Sequence, residues 1–456
     1  MYYNPNPFLL SIIAPSNDQT FKISDLDPNI FWLENRKKET NDMHNFFWLN
    51  LLDRKADHKK LKKIIYIWMI KNSKYKRKIW ETSTLSARII SWILNTDIIL
   101  NNSTFDFKKN FLDCIVSQTN HLKKNIKFEK NSSRKMEILT AIILTGLVFK
   151  EYEQNYDIGI KEMENLVENF FDNKGFPLSR NPNDLIFFLK YFLFCKEVIK
   201  DSQRYIPEFL DDIIEKNLNC IDFIKTPTES LPLFNGAVST KITKIDKYLE
   251  NFKSNNKNNN LGGLFKIKHK NHFMIIDVDK PPQKKFSRSY QSGPLSFEYF
   301  LDGTKIITNS GYGSNISKKV ELLSKLTACQ STLTINDTSI TKFEKNEIIS
   351  KVFGNSIQNS FKSFNFSEKN NNDLVGCSAS NNGYEKKFGC IHKREIYLDK
   401  KDNCLRGIDH IFKAKDGYPI RYAFRFHINP ELNVVKTMSG NSALIQINKN
   451  KSLLFT

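Results

Sequence analysis

The spacing of apolar residues changes once along this chain, and that change limits the fold more than any other feature. From about Asp42 to Glu250 apolar residues recur every three to four positions, as in "DHKKLKKIIYIWMIKN" and "RKMEILTAIILTGLVFKEYE", which is typical of amphipathic helices. After the polar run "NFKSNNKNNNLGG" apolar and polar residues alternate, which is typical of half-buried strands. The sequence therefore predicts a helical half followed by a β half.

The helical half carries eight or nine amphipathic segments joined by short links. Short links favour antiparallel packing of neighbouring helices. Two segments begin near residues that commonly cap helices. Ser83 precedes the run that ends at Trp92, and Asn183 precedes the run that begins at Leu185. We therefore predict consecutive antiparallel helices, with N-caps at Ser83 and Asn183.

The β half consists of short alternating segments separated by turn signals, among them "HFMIIDVD", "LSFEYFLDGTKIITN" and "HKREIYLDKKDNCLRGIDHIF". Asp302-Gly303 and the run Lys401-Asp402-Asn403 are typical of hairpin turns. Many short strands without helices between them indicate two packed antiparallel sheets. The β half is therefore predicted to be a β-sandwich.

The length of the chain calls for more than one domain. Its 456 residues exceed what one core usually supports, at about 150 residues per domain. The Asn-rich run with two glycines at its end is typical of a linker. We predict a helical domain over 1–250, a linker over 251–263 and a sandwich over 264–456.

The net charge bears on possible partners. The chain carries a formal charge of +20, and a dense positive field attracts phosphates, sulfates or uronates. Lysine is also frequent throughout the sequence, including its polar loops, so the charge is equally compatible with a solvated basic surface that binds nothing. Composition leaves both interpretations open.

The cysteines argue against two kinds of stabilisation. There are seven, an odd number, and they are widely spaced without a Cys-x-x-Cys pair. This pattern fits neither a disulfide scaffold nor a zinc cluster. We expect most of them to be small buried hydrophobic residues.

Two apolar stretches bear on localisation. The start, "MYYNPNPFLLSIIAPSND", has neither a basic n-region nor a long apolar core, so it is not a typical secretory signal. The most apolar run, from Met136, is too short to cross a bilayer and indicates a buried helix. From these stretches we expect no transmembrane segment. They do not settle the compartment, and a cytoplasmic location is one alternative.

A series of strings runs through both halves in a defined order. In the helical half they are "WETSTLSARIISWI", "DNKGFPLSRNPNDL" and "LPLFNGA", and in the β half "SGPLSFEYFLDGTKIITNSG", "ACQSTLTINDTS", "GCIHKREIYL" and "FRFHINP". In order and spacing they resemble the heparinase II/III-like polysaccharide lyases, and the resemblance covers most of the chain. It implies an incomplete α/α toroid followed by an antiparallel β-sandwich, and a location in the cell envelope or periplasm.

The resemblance also implies a reaction, β-elimination on an acidic, uronate-containing polysaccharide in a cleft between toroid and sandwich. A donor must neutralise the uronate carboxylate so that the C5 proton becomes removable. A base then takes that proton, and an acid protonates the departing glycosidic oxygen. In the family an Asn and a Tyr of the toroid and a His of the sandwich supply these groups. The resemblance places the Asn near 131–133 and the Tyr near Asp184.

Two positions depart from the family pattern. Gln291 and Gln330 stand where the resemblance expects histidines. A glutamine amide can donate a hydrogen bond to a carboxylate, but it cannot accept a proton at neutral pH. We therefore assign both glutamines to substrate binding rather than catalysis. The departure also motivates an alternative hypothesis, a non-catalytic protein that binds acidic glycans.

Four residues remain as catalytic candidates. His392 lies at a position that the resemblance marks. Tyr290 and Tyr312 flank the first hairpin of the β half, and a neighbouring cation would lower a phenol pKa enough for acid–base chemistry. Asn235, in "LPLFNGA", could bind the uronate carboxylate. Each also has a structural interpretation, as a packed strand histidine, a turn tyrosine or an asparagine that closes a turn.

Further substrate-binding candidates are polar residues near aromatic rings or helix ends. Arg394 shares a strand face with the candidate histidine two residues before it. Arg180 and Asn181 precede a helix N-terminus, where an acidic sugar would be favoured. Arg88 lies one helical turn from Trp92, whose ring could serve as a platform for a sugar. Solvated loop arginines and packing at the edge of a core are the alternatives.

Three functions follow from these observations. The first is a polysaccharide lyase, the second a non-catalytic acidic-glycan-binding protein, and the third a nucleic-acid-binding protein that uses the net charge. The third is the least favoured, since no nucleic-acid or nucleotide motif accompanies the charge. No metal ligand set stands out and the chemistry requires no cofactor, although a structural divalent ion stays open. The identity of the glycan and the oligomeric state are also left open.

Overall fold

The computed structural model describes residues 3–14, 27–28, 31–34, 41–54, 58–239, 242, 246–250, 252, 259–346, 349–350, 354–413 and 421–456. The chain packs as two compact units. The first unit comprises Met1–Phe170 and Phe187–Glu215, and the second comprises Phe171–Ile186 and Lys216–Thr456.

The first unit is built from helices, as the apolar spacing predicted. The described residues contain seven helices of more than ten residues, namely α1 (Lys59–Asn72), α2 (Thr82–Leu94), α3 (Phe105–Asn125), α4 (Ser132–Val148), α5 (Gln154–Phe170), α6 (Pro182–Asp201) and α7 (Glu208–Ile224). Shorter α-helical segments in the first 250 residues are Leu10–Ile13, Phe31–Glu34, Asn41–His44, Thr96–Leu100 and Asp246–Glu250. None of the described helices combines the length and the apolar composition that crossing a bilayer requires.

Both predicted N-caps are wrong by two residues. Helix α2 is capped by Glu81, whose carboxylate accepts a backbone N–H of the first turn at 3.2 Å, so Ser83 lies inside the helix. Helix α6 begins at Pro182, and the Asn181 side chain accepts from the backbone N–H of Asn183 at 3.0 Å. Proline suits the first helical position because its missing N–H would be unpaired there anyway.

An aromatic cluster forms part of the core of the first unit. The rings of Trp68 in α1 and Trp92 in α2 meet edge to face with centroids 5.2 Å apart. Phe46 packs edge-on against both, at 5.7 and 5.2 Å. Edge-to-face contacts of this kind add stabilisation beyond the area they bury. The apolar faces of α1 and α2 therefore meet at these three rings.

The second unit contains antiparallel strands, as the alternating pattern predicted. Its described strands are β1 (Asn260–Leu261), β2 (Leu264–His269), β3 (His272–Asp277), β4 (Phe297–Leu301), β5 (Thr304–Thr308), β6 (Leu333–Ile335), β7 (Ser363–Asn370), β8 (Leu374–Tyr384), β9 (Cys390–Asp399), β10 (Cys404–Lys413), β11 (Tyr422–Phe424), β12 (His427–Ile428), β13 (Asn433–Lys436), β14 (Ala443–Asn448) and β15 (Lys451–Phe455). They form sheets in the orders β1-β2-β3-β4-β5-β12, β10-β9-β8-β7, β11-β6 and β13-β14-β15.

The six-stranded and four-stranded sheets share one apolar core, which is the predicted sandwich. Met274 and Phe297 from the larger sheet belong to the same buried cluster as Cys377 and Ile396 from the smaller one. Ile445 of β14 joins this cluster. Members of this cluster are spaced two residues apart along β2, β3, β4, β8 and β9, as expected where two sheets pack face to face.

Strand β8 was missed by the sequence analysis, although it is the longest of the described strands. Its sequence, "LVGCSASNNGY", is rich in small and polar residues that are uncommon in strands. The close approach of β9 explains part of this composition, because a Cβ at Gly376 would collide with the carbonyl oxygen of Ile396. Small side chains are required here by a neighbouring strand, which local sequence does not reveal.

The predicted linker over 251–263 lies partly outside the described residues. Residues 251 and 253–258 lie outside the described residues. The end of the predicted linker, however, is strand β1, which pairs with the start of β2. Phe171–Ile186 and the chain from Lys216 onwards already pack with the sheets, well before the apolar spacing changes. The predicted domain boundaries at 250 and 264 stay a prediction.

Candidate functional site

Gln291 and Gln330 meet at one backbone carbonyl of the second unit. Their Nε2 atoms both donate to the carbonyl oxygen of Ser324, each at 2.9 Å. The Gln291 amide also donates to the Gly311 carbonyl at 2.8 Å, and its Oε1 accepts from the Gly236 N–H at 3.0 Å. Both side chains are buried. The two positions where the resemblance expects histidines are thus brought together, with their amides committed to backbone groups.

Two asparagine amides border this pair. Asn235 precedes Gly236 in a turn with a left-handed φ of 52°, and its buried Nδ2 has no hydrogen-bond partner among the described residues. Asn309 accepts the Ser331 N–H at 2.9 Å, next to Gln330, and its Nδ2 is buried and unpartnered in the same described set. Unpaired buried donors are costly, so both are candidates for holding an anionic oxygen. The sequence singled out Asn235 but gave no signal for Asn309.

The two candidate tyrosines are held protonated rather than activated. Tyr290 is almost fully buried, and burial together with the Asp277 carboxylate raises its phenol pKa. The Tyr312 hydroxyl donates to Glu321 Oε1 at 2.7 Å, and burial together with this carboxylate raises its pKa as well. A role as base requires that nearby cations lower the phenol pKa. At both positions burial and the carboxylate outweigh this effect, so the pKa is raised. Either phenol can donate a proton, but neither is suited to accept one.

His392 and Arg394 lie on the same face of β9, as the alternation predicted, and share one carboxylate. His392 Nε2 and Arg394 Nε each lie 2.7 Å from Asp409 Oδ1, and Arg394 Nη2 donates to Oδ2 at 3.0 Å. Burial lowers the pKa of His392, so the neutral imidazole donates its Nε2–H to the carboxylate. The Arg394 Nη1 also donates to the Ser331 carbonyl at 2.9 Å. This geometry anchors the Gln330 loop to β9 and favours a structural role for the triad.

Asp409 was missed by the sequence analysis, although a signal existed. It lies directly opposite Arg394 in the β9–β10 hairpin. Counting back from the predicted turn at 401–403 would have set the strand register and paired the two residues. A carboxylate opposite an arginine in an alternating strand was therefore deducible from the local sequence.

The Arg180 side chain is committed to backbone and carboxylate groups of the second unit. Its Nε and Nη2 donate to the carbonyls of Gly262 at 3.1 Å and Gly263 at 3.0 Å. Nη1 donates to the Lys280 carbonyl at 2.8 Å, and Nη2 forms a buried ion pair with Asp277 Oδ1 at 2.7 Å. A guanidinium used in this way stabilises the loops around it and leaves little capacity to bind an acidic sugar.

A cavity of about 660 Å³ lies beside Arg180 in the second unit. Its wall includes Asp172, Lys174, Asp279 and Glu368, so both signs of charge face the space. Asn181 does not line it; its Nδ2 donates to Ser289 Oγ at 3.3 Å. The mixed charge gives this cavity no clear preference for an anionic glycan.

Arg88 and its aromatic neighbours are interior groups of the first unit. The guanidinium is buried and donates to Gln118 Oε1 at 2.7 Å and to the His44 and Ile79 carbonyls at 2.9 and 3.2 Å. Desolvation lowers its pKa to about 9. Trp92 is fully buried, so its ring is not a platform for a sugar. The packing alternative raised for Arg88 therefore fits its surroundings.

One cluster in the described residues has the spacing of metal ligands. Asp399, Asp402 and Cys404 lie in the β9–β10 turn with ligand atoms within 4.8 Å of one another. Asp399 Oδ1 already accepts the N–H groups of Lys401 and Asp402 at 3.0 and 3.1 Å, and its other oxygen faces Arg406 at 3.4 Å. The turn geometry accounts for these carboxylates, and the cluster gives no support for a structural divalent ion.

Comparison with known proteins finds a family model for the β half. Residues 254–456 match the family model described as Heparinase II/III-like, C-terminal. The C-terminal part of this chain is therefore similar to the C-terminal domains of heparinase II/III-like proteins. The resemblance inferred from the strings in both halves is thereby confirmed. No curated protein sequence matches the chain.

Solved structures extend the heparinase likeness to the helical half. A heparinase III crystal structure matches with a TM-score of 0.71 at 15% identity, covering 90% of this chain and 69% of that one. A mutant of heparan sulfate lyase HepC from Pedobacter heparinus matches with a TM-score of 0.66 at 16% identity, covering 94% and 69%. A second structure of HepC from the same organism gives 0.62 at 16%, with the same coverage. These matches confirm the predicted fold class, a helical half followed by antiparallel sheets.

Proposed function

We propose that this heparinase II/III-like protein is a lyase that cleaves acidic, uronate-containing polysaccharides by β-elimination. The observation that carries the proposal is the fold, which is shared over 90% of the chain with a heparinase III structure. The net charge of +20 supports it, because a positive field raises the local concentration of a polyanionic substrate. Among glycans, the similarity to a heparinase III and to a heparan sulfate lyase favours a glycosaminoglycan such as heparan sulfate.

The amide cluster of the second unit suits one requirement of the reaction. β-Elimination needs neutral or cationic donors directed at the uronate carboxylate, where charge accumulates as the C5 proton leaves. Asn235 and Asn309 each retain a buried amide donor that no described group uses. Gln291 and Gln330 fix the surrounding loops through the Ser324 carbonyl. In this proposal the asparagines bind the carboxylate and the glutamines position them.

The proposal is tested by a lyase assay on a panel of uronate glycans. Purified protein is incubated with heparan sulfate, chondroitin sulfate and alginate, and unsaturated uronate ends are followed by their ultraviolet absorbance. A time-dependent rise with at least one substrate is expected. Absorbance that stays flat with every substrate, while the protein is folded by circular dichroism, would overturn the lyase function.

A second candidate function is non-catalytic binding of acidic glycans. The observation that favours it is the state of the two glutamines, which cannot accept a proton and are bound to backbone carbonyls. This candidate predicts saturable heparan sulfate binding without cleavage. The double variant Gln291→His, Gln330→His would then bind glycan and still produce no unsaturated ends.

The same binding assay separates glycan recognition from nonspecific attraction of polyanions. Single-stranded nucleic acid of matched charge serves as competitor across a salt series. Specific glycan binding predicts weak competition and a shallow dependence on salt. Equal affinity for both polymers, with a steep salt dependence, would indicate that the net charge alone attracts them.

A further inference from the structure

A row of three lysines lies at the end of β2 in the second unit. Phe265 and Ile267 of this strand belong to the core that the two sheets share. Because side chains alternate along a strand, Lys266 and Lys268 point to the opposite, outer face, with Cα atoms about 7 Å apart. Lys270 follows in the turn to β3, where its φ is 50°. Together Lys266, Lys268 and Lys270 form the β2 lysine row.

The β2 lysine row borders a groove of about 410 Å³ beside the C-terminal end of α7. Lys225, the residue after α7, lines the same groove, as do Asp222 and Glu229. All the lining residues belong to the second unit, and none of them is part of the amide cluster of the proposed site. The groove is therefore a separate feature of this unit, and its lining contains four lysines and two carboxylates.

The carboxylates of the groove do not neutralise the β2 lysine row. Lys225 forms an ion pair with Glu229 at 3.4 Å, which engages one of the two carboxylates. Within the described part of the chain, none of the three lysines of the row makes a hydrogen bond or an ion pair. The groove therefore keeps an excess of positive charge.

Lys266 is partly buried against α7. Its Nζ lies 4.6 Å from the ring centre of Phe223, so its stem covers apolar surface. Burial, the largest effect, lowers the pKa of Lys266; the Asp222 carboxylate raises this pKa, and the charge of Lys268 lowers it further. The fold thus holds like charges together at a partly desolvated position, and an anion bound in the groove would stabilise them.

Two structural explanations account for part of this arrangement. Strand β1 pairs only with the first two residues of β2, and lysines on such an edge strand hinder pairing with other chains. Lysine-rich surfaces are also often merely solvated. Neither explanation requires that Lys225 from the end of α7 meets the β2 lysine row at one groove, or that the row lacks carboxylate partners. The convergence on a concave surface favours a bound anion.

The lining of the groove favours a sulfated polysaccharide over a nucleic acid. Lysine ammonium groups are compact point charges that suit sulfate and phosphate equally. Proteins that hold single-stranded nucleic acid also provide exposed aromatic rings on which the bases stack. Phe273 is the phenyl ring in the lining, and it is only 5% exposed. A sulfated polysaccharide can contact the lysines without such rings.

We propose that this groove is an auxiliary binding site for the sulfate groups of an acidic polysaccharide, held by the β2 lysine row together with Lys225. It binds a part of the glycan chain other than the uronate that the amide cluster holds. The class of ligand rests on the proposed function, but binding at the groove does not require that the protein cleaves its ligand. Long, sulfated chains are therefore retained better than short or unsulfated ones.

The site is tested with carboxyl-reduced heparin oligosaccharides. They keep their sulfates but lack the uronate carboxylate that β-elimination needs, so cleavage cannot disturb the measurement. Acetylation of individual lysines is followed by mass spectrometry with and without the oligosaccharide. With the oligosaccharide at tenfold its dissociation constant, Lys268 and Lys270 should react about tenfold more slowly. Lys386 and Lys449, which are exposed in the same unit and do not line the groove, should react at an unchanged rate.

Two double variants measure what the charges contribute. Lys268→Gln with Lys270→Gln removes two charges from the groove, and Lys386→Gln with Lys449→Gln removes two exposed charges elsewhere. By isothermal calorimetry the groove variant should bind the oligosaccharide about 5- to 30-fold more weakly, the upper part of the range for two surface ion pairs. The slope of log affinity against log salt should fall by about two. The control variant should change affinity by less than about twofold.

Different results overturn different statements. Acetylation of Lys268 and Lys270 that the oligosaccharide does not slow, or equal affinities of the two double variants, overturns the auxiliary site even if the protein cleaves heparan sulfate. Protection of these lysines in a protein that cleaves no glycan supports the site and overturns the lyase function alone. Equal protection by single-stranded DNA of matched charge overturns the assignment to a polysaccharide.

Discussion

Replacing Asp409 by Asn should destabilise the second unit at the ion pair of Asp409 with Arg394. Asp409 accepts hydrogen bonds from both His392 and Arg394, and the Arg394 side chain is only 1% exposed. Asparagine keeps the volume of the side chain but removes its charge. Arg394 would then be a buried cation without its carboxylate, while its contacts to the carbonyls of Leu295 and Ser331 remain.

Two values bound the expected loss of unfolding free energy. Although burial by itself raises the pKa of Asp409, the hydrogen bond from His392 and the Arg394 charge hold it at about 2, against an ordinary 3.8. That difference corresponds to about 2 kcal/mol of stability, at about 1.4 kcal/mol per pKa unit. Removing one partner of a buried pair outright costs more, about 3–5 kcal/mol, because the remaining charge is uncompensated. We expect about 3 kcal/mol at neutral pH.

The pH dependence has a definite sign. A carboxyl whose pKa is lower in the folded protein contributes stability that is fully present above its unfolded pKa, near 4, and is lost as the pH falls towards 2. The wild-type protein should therefore lose its advantage over Asp409→Asn between about pH 5 and pH 2. Above pH 5 the difference should be constant, apart from the titration of other groups common to both proteins.

The assay has to resolve the two units. All five tryptophans lie between positions 32 and 92, in the first unit, so tryptophan fluorescence during urea unfolding reports that unit alone. Hydrogen exchange of peptides from β9 and β10, measured by mass spectrometry in the same urea series, reports the second. Asp409→Asn should shift the β9–β10 transition and leave the fluorescence transition in place. Asp402→Asn, which removes an exposed partner of Arg406 in the same hairpin, is the matched control and should change neither.

The reasoning would be refuted if Asp409→Asn cost less than about 1 kcal/mol in the β9–β10 transition, or no more than the Asp402 control. It would also be refuted by a wild-type advantage that grows at acid pH, because that would mean a carboxyl pKa raised on folding.

Three further changes should have measurable effects. Gln291→Glu should lower the unfolding free energy of the second unit by about 2–4 kcal/mol in the same exchange assay, because a carboxylate cannot donate to the Ser324 carbonyl. Desolvation lowers the pKa of Lys325 to about 7 in the folded protein. The stability of wild type relative to Lys325→Met should therefore rise between about pH 7 and pH 10, by at most about 1.4 kcal/mol per pH unit. Arg88→Met should lower the unfolding free energy of the first unit by about 2–4 kcal/mol and leave glycan affinity unchanged. Tryptophan fluorescence should report the loss, because the guanidinium lies 4.4 Å from the centre of the Trp68 ring.

Part of the fold could be predicted from sequence because it depends on local periodicity. The change of spacing separated helices from strands, and Asp302-Gly303 was identified as a turn that both residues enter with positive φ. Strand β8 could not be predicted in this way. Its small residues are explained by the backbone of β9, and a neighbour that is 20 residues away leaves no local pattern.

Part of the candidate site could likewise be predicted from the sequence, and part of it could not. The sequence marked Gln291 and Gln330 as departures from the family pattern and Asn235 as a candidate site residue, and the fold brings them to adjoining backbone groups. It could not show that Arg88 and Arg180 are consumed by interior hydrogen bonds. Whether an arginine is available to a ligand depends on which carbonyls surround it, and those belong to distant segments.

The sequence by itself determined the order of helices and strands, the positions of tight turns and the lack of the expected histidines, because each of these is written in neighbouring residues. Only the tertiary structure decided which ionisable groups are protonated. Arg180 meets Asp277 across 97 positions of chain, and Tyr290 is buried near that carboxylate. A pKa follows from burial and from nearby charges, and both are set by contacts between segments that are remote in sequence.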